Sequence, residues 1–218
     1  MAQESAIREV TEALVAELSV AAPERKALLI HVLADRGDRA ALRAVLEAAK
    51  SGTEEVRGAA ILALGRLGDA SSVPVLLEAA MGDDATLSQT ALRVLSAVAD
   101  KSVDHDVVER LAKAEGRTRL VLIQLAGLRS IAAAVPLLMK AADDSDAQVR
   151  LSALASLGRT LPTGNLPVLI KRVADSQDPK EAAAAVKALG AACQRVSDRE
   201  ACAQRVAEAL ASSPAGAK

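Results

Sequence analysis

Residues 56–80 read VRGAAILALGRLGDASSVPVLLEAA, and residues 149–173 read VRLSALASLGRTLPTGNLPVLIKRV, the same skeleton ninety-three positions apart. The interval is three periods of 31 residues, since Val56, Gly65 and Pro74 are also matched by Thr118, Gly127 and Pro136 two periods on. One period back, Gly37-Asp38 falls on Gly68-Asp69 and Leu46-Glu47 on Leu77-Glu78. The copy at 84–114 is weaker, with Leu87, Ser96 and His105 at the marker positions, but keeps leucine at Leu92 and Leu95. A sixth copy follows a one-residue insertion, with Leu189-Gly190 standing for Leu157-Gly158. A fixed period of this length means a row of supersecondary units rather than one globule around one core.

Inside each unit the apolar residues recur at helical spacing, as in Val56, Ala60, Ile61 and Leu64, then Val73, Leu76, Leu77 and Ala80. Two amphipathic helices are predicted per unit, joined by a turn at Gly68-Asp69. Thr53, Asp84 and Asp146 stand as N-caps, and Pro74, Pro136 and Pro167 fall in the first turn of the second helix. Neither helix can bury its apolar stripe within its own pair, so neighbouring pairs must cover each other.

Composition supports an all-helical core of small side chains. The chain has no Phe, Tyr or Trp in 218 residues, while 51% of it is hydrophobic. Leu, Val and Ile must therefore fill gaps between alanine-lined helices. The missing aromatics also remove the stacking platforms of single-strand binders and the usual anchors of tight interfaces.

The run D-x-x-V-R, apolar helix, L-G-x-L-G-D, V-P-x-L-L resembles the short HEAT-like repeats typified by phycobilin lyase subunits. Its best instance is Asp146 to Arg150 followed by LSALASLG. The Trp/Tyr/Phe pattern of tetratricopeptide units and the Thr-Pro-Leu-His run of ankyrin units are both missing. One departure stands out: Asp38, Asp69 and Asp100 mark the turn between helices, but the next copies carry Ile131 and Pro162. The resemblance implies an all-α, right-handed α-solenoid of about six hairpins behind an N-terminal capping helix. Its expected boundaries are 1–21 for the cap, then repeats at about 22–52, 53–83, 84–114, 115–145, 146–176 and 177–211. Residues 212–218 are expected to form a disordered tail or linker.

The resemblance further implies that the second helices line a concave face. Their exposed column reads Glu47, Glu78, Glu109, Lys140, Lys171, with Arg110 and Arg172 beside it. Residues 1–109 hold 11 Lys and Arg against 18 Asp and Glu, and the remainder 16 against 10, so the halves carry −7 and +6. Such sorting would steer a partner of opposite polarity, or favour weak head-to-tail contact between copies; the competing reading is two ordinary solvated faces. A second column, Lys26, Arg57, Arg119 and Arg150, reads as an inter-repeat hydrogen-bonding ladder rather than a phosphate stripe.

Cys193 and Cys202 are equidistant from a turn expected near Ser197-Asp198, which allows a disulfide; two reduced cysteines acting as small core residues are the alternative. His31 and His105 belong to opposite faces and form no metal pair. Asp83-Asp84 and Asp143-Asp144-Ser145-Asp146 lack the glycine and distal glutamate of a calcium loop and sit where helix N-termini favour negative groups. No phosphate-loop, dinucleotide, nucleophile-elbow or zinc motif occurs.

The resulting expectation is a non-catalytic protein-interaction scaffold or adaptor without cofactor or metal. It would bind a partner polypeptide on the concave face and form a segment of a larger bacterial multidomain protein. The enzymatic alternative is a lyase-like subunit resembling phycobilin lyases. A weaker one is nucleic-acid binding by the basic C-terminal half, against which the near-neutral net charge of −1 and the missing aromatics both argue. No membrane span and no signal peptide are read in the sequence. As written the chain reads as cytoplasmic, or as periplasmic or secreted if it is a fragment with a Cys193–Cys202 bridge.

Overall fold

The computed structural model describes residues 2–195, 200, 202–204 and 207. Twelve α-helices are delimited among them, and the described residues contain no strand. They fall into two compact units, residues 1–107 and 108–218. The fold class is all-α, an α-solenoid, as the repeat predicts. The expected tail 212–218 and the expected turn at Ser197-Asp198 lie outside the described residues.

The first unit contains α1 (Ala2–Val20), α2 (Pro23–Arg36), α3 (Leu42–Ser51), α4 (Glu54–Leu67), α5 (Val73–Ala80) and α6 (Ala85–Ala97), and ends within α7 (Ser102–Leu111). Closest backbone approach runs between consecutive pairs. First helices pack on the next first helix, α2 on α4 and α4 on α6, and second helices on the first helix that follows, α3 on α4 and α5 on α6. The N-terminal α1 covers the open end of this row by packing on α2 and α3.

The second unit holds α8 (Gly116–Leu128), α9 (Val135–Ala141), α10 (Ala147–Thr160), α11 (Leu166–Asp175) and α12 (Pro179–Gln194). The same rule orders it: α8 and α9 pack on α10, and α10 and α11 pack on α12.

The periodic leucines and isoleucines form these interfaces. Ile30, Ile61, Ile123 and Leu154 occupy one column and are all fully buried, as are Leu33, Leu64 and Leu95 in the next. Burying one such side chain stabilises by roughly 1.5–3 kcal/mol, so the columns hold the rows together. The weaker copy departs here: Leu92, expected in the core with Ile30, Ile61, Ile123 and Leu154, is only half-buried, while Ala91 is fully buried like Ala60, Leu122 and Ala153 in its own column.

The glycine of the Leu-Gly pair has a structural cause in the second unit. A Cβ added at Gly158 would lie 2.7 Å from the Ala188 backbone, and one at Gly127 would lie 2.8 Å from the Ser156 Cα. Helices α8, α10 and α12 therefore approach each other across bare backbone. At Gly65 the nearest atom would be a Val94 methyl at 3.7 Å, an ordinary contact.

The turns are more varied than the repeat predicts. Asp38 accepts from the Ala40 N–H, Asp69 from the Ser71 N–H, and Asp100 from the Ser102 N–H. A short 3₁₀ turn then leads into the second helix at Arg39–Ala41 and Ala70–Ser72. Where Ile131 replaces the aspartate there is no side-chain cap, and Ser130 adopts φ 54° so that the Ser130 and Ile131 N–H groups reach the Gly127 and Ala126 carbonyls. The left-handed residue thus closes the end of α8, where N–H groups serve its last carbonyls, while the side-chain acceptor that the aspartates offer to the following turn is not replaced. At the helix starts, Asp84 and Asp146 cap α6 and α10 through their side chains, whereas Thr53 holds the N-cap position of α4 without a side-chain hydrogen bond. Pro74, Pro136 and Pro167 all lie in the first turn of a second helix.

Candidate functional site

The acid-to-base column is divided between the units. Glu47 on α3 and Glu78 on α5 belong to the first, both exposed. Glu109 and Arg110, at the end of α7, Lys140 on α9, and Lys171 and Arg172 on α11 belong to the second. Glu109, Lys140 and Lys171 are exposed; Arg110 and Arg172 are half-buried.

The basic end converges on a cavity. Lys140, Lys171 and Arg172 line a cleft of about 510 Å³ between α9 and α11, together with Met139, Val168 and Leu169. Pro136 and Pro167 fix where these two helices begin, and one repeat offset places Lys171 in register with Lys140. Arg172 bonds to Asp143, and its guanidinium lies 3.7 Å from Glu181 of α12. Lys140 and Lys171 have no ion-pair or side-chain hydrogen-bond partner among the described residues, so their ammonium groups are turned over to solvent.

Glu47 lines a different, smaller cleft of about 270 Å³ with Val15, Leu18 and Lys26, where α1 meets α3. Its carboxylate lies 3.3 Å from Lys50 on its own helix. Glu78 lines neither cleft.

The arginine column faces the repeat boundaries. Arg57 donates to the Ala49 carbonyl at the end of α3, satisfying a helix C-terminal acceptor of the preceding repeat. Arg150 donates to the Asp144 and Ser145 carbonyls and to Glu181, one period on. Arg119 pairs with Asp144. Asp144 is held below the ordinary carboxylate range first by the Asp146 N–H and then by Arg119. These guanidiniums are occupied by the fold.

The sequence reading places Asp143 in an acidic run at a helix start and does not single out Glu181; both lie against Arg172. A signal for part of this existed, because Asp35 pairs with Arg66 and Arg150 with Glu181 at separations of 31. Opposite charges one repeat period apart meet on neighbouring helices.

Cys193 and Cys202 are brought together, their Cα atoms 6.0 Å apart and their sulfurs in contact. Arg195 lies just beyond Cys193 and donates to the Gly158 and Leu161 carbonyls, tying the end of α12 to the end of α10. His31 and His105 are both exposed, and among the described residues no group of three or more His, Cys, Asp or Glu could hold a metal ion. No helix among the described residues is long and apolar enough to cross a membrane.

The family profile for HEAT repeats matches residues 11–96 and 105–190. No curated protein matches the chain. Among solved structures, the complex of CpcE and CpcF of phycocyanin lyase from Nostoc sp. PCC7120 is similar over 94% of this chain and 94% of that one, at 18% identity and a TM-score of 0.44.

Proposed function

The chain belongs to the HEAT-repeat family, and on that premise we propose that it is a non-catalytic interaction scaffold or adaptor that binds a partner polypeptide on the surface of its second helices. The observation that carries this reading is the pair Lys140 and Lys171, exposed at the rim of a cleft and left without protein partners, while the neighbouring arginines are consumed in holding repeats together. Unpaired charge at the rim of a cavity is available to steer and orient a partner of opposite charge. Without aromatic anchors the affinity is moderate and falls with salt.

The test is quantitative affinity capture with the full chain, followed by charge reversal. A genuine partner is released by moderate salt and loses affinity when Lys140 and Lys171, or Glu47, Glu78 and Glu109, are reversed in sign. Binding unaffected by either set removes the second-helix surface from consideration. A shift in bilin absorbance on mixing the chain with bilin and an apoprotein would instead favour a lyase-like subunit.

A further inference from the structure

The cleft between α9 and α11 carries a more specific message than exposure. Its floor is apolar, with Leu157 and Leu169 at 1% and 0% exposed, and Met139 and Val168 form half-buried walls above them. Five charged groups surround that floor: Lys140, Asp143, Lys171, Arg172 and Asp175. Asp143 is cancelled within the fold by Arg172, which Glu181 steadies from α12. Asp175 stands one helical turn past Lys171, at the C-terminal end of α11. What faces an incoming ligand is therefore an apolar trough with two unpaired ammonium groups and an Arg172–Asp143 ion pair against one further carboxylate, an excess of positive charge.

That combination discriminates between ligand classes. Lysine stems extend the apolar surface while their heads stay in water, so a ligand gains most by presenting apolar side chains between flanking carboxylates. A nucleic-acid strand offers charge but would need stacking platforms, and the chain has no aromatic residue. A basic segment would meet like charge at both lysines. An apolar groove is also the kind of surface on which an amphipathic segment lays its apolar face.

We propose that this cleft docks an acidic amphipathic polypeptide segment, its apolar side chains entering between Met139 and Val168 and its carboxylates meeting Lys140 and Lys171. The proposal rests on the scaffold reading and narrows it to one place and one partner chemistry.

The experiment uses fluorescence anisotropy with the full chain and three labelled synthetic peptides. The first is built of Leu and Glu at helical spacing, the second is its Lys counterpart, and the third is an acidic peptide with Ser in place of Leu. The Leu/Glu peptide should bind, and K140E/K171E should weaken it by about tenfold or more at low salt. Both substitutions are at exposed positions, so unfolding does not confound the result. V168S should weaken the same peptide at a salt concentration that screens the lysines, whereas E47K/E78K should leave it unchanged.

Equal binding of the Ser/Glu peptide would overturn the trough, leaving only charge attraction. Preference for the Lys peptide, abolished by E47K/E78K, would overturn the proposal while the scaffold reading survived on the first unit. If no peptide of either sign binds and capture also yields no salt-sensitive partner, both fail.

Discussion

The Arg39 guanidinium reaches past the whole turn of the neighbouring repeat to meet the Asp100 carboxylate at 3.0 Å, joining turns that are 61 positions apart. Between them in sequence lies Asp69, which caps its own turn. Inside the first unit the turns therefore crowd closely enough for a side chain to bridge two repeat steps. Asp100 also accepts from the Ser102 hydroxyl and N–H, and these bonds, ahead of Arg39, lower its pKa to about 2.

The sign of the pH dependence follows from that depression. The folded carboxyl titrates below its ordinary value of 3.8, so its contribution is fully present above that value and is lost as pH falls through about 2. D100N should lose that contribution, and its stability should depend less on pH across this acid window than that of the parent. Chemical denaturation at several pH values checks this; parallel profiles for parent and variant would contradict it.

Gly158 and Gly65 occupy equivalent repeat positions but should respond oppositely to alanine. At Gly158 the new Cβ meets Ala188 backbone at 2.7 Å, which cannot give way without parting α10 from α12. We expect a loss of about 1–3 kcal/mol. At Gly65 the contact is an ordinary 3.7 Å, and removing a helix-interior glycine should be neutral or stabilise by up to about 1 kcal/mol. Urea denaturation of the two variants decides it, and equal losses would contradict the packing difference.

Arg150 should matter through geometry rather than charge alone. It serves two carbonyls and Glu181, with only 23% of its side chain exposed. R150A should cost about 1–3 kcal/mol, and R150K should recover little, since a lysine cannot span three acceptors. Full rescue by lysine would mean that the fan of hydrogen bonds is incidental.

Cys193 and Cys202 have a simple readout. With sulfurs in contact, a purified, air-oxidised chain should show no reactive thiol after denaturation without reductant, and two after reduction. Linking residues nine apart also predicts that reduction lowers stability by no more than about 2–3 kcal/mol. Two thiols reactive from the outset would mean that the cysteines are reduced and only packed together.

Much of the stacking was legible because it depends on periodicity, which a sequence shows directly: the apolar columns Ile30, Ile61, Ile123 and Leu154 all became core. The turns were less so. The recurring aspartate predicts a cap, but where Ile131 replaces it the side-chain cap is lost and Ser130 turns left-handed to close α8, which no side-chain pattern announces. In the weaker repeat Leu92 leaves the core although its column is buried in the other copies, and nothing in its own side chain announces that. Sequence spacing aligned the charged column, yet it gave no sign that Arg172 would be held internally while Lys140 and Lys171 stay free. Pairing depends on Asp143 and Glu181, which come from the loop after α9 and from α12.

The most direct test of stacking as the source of stability is far-UV circular dichroism on the isolated segment 53–83, which holds α4 and α5. Their buried faces pack mainly on α2, α3 and α6, so the segment alone should be largely unfolded while the full chain is helical and melts cooperatively. A monomeric segment with full helical signal and its own cooperative melt would show that each pair stands by itself, and would contradict stacking as what holds the repeats together.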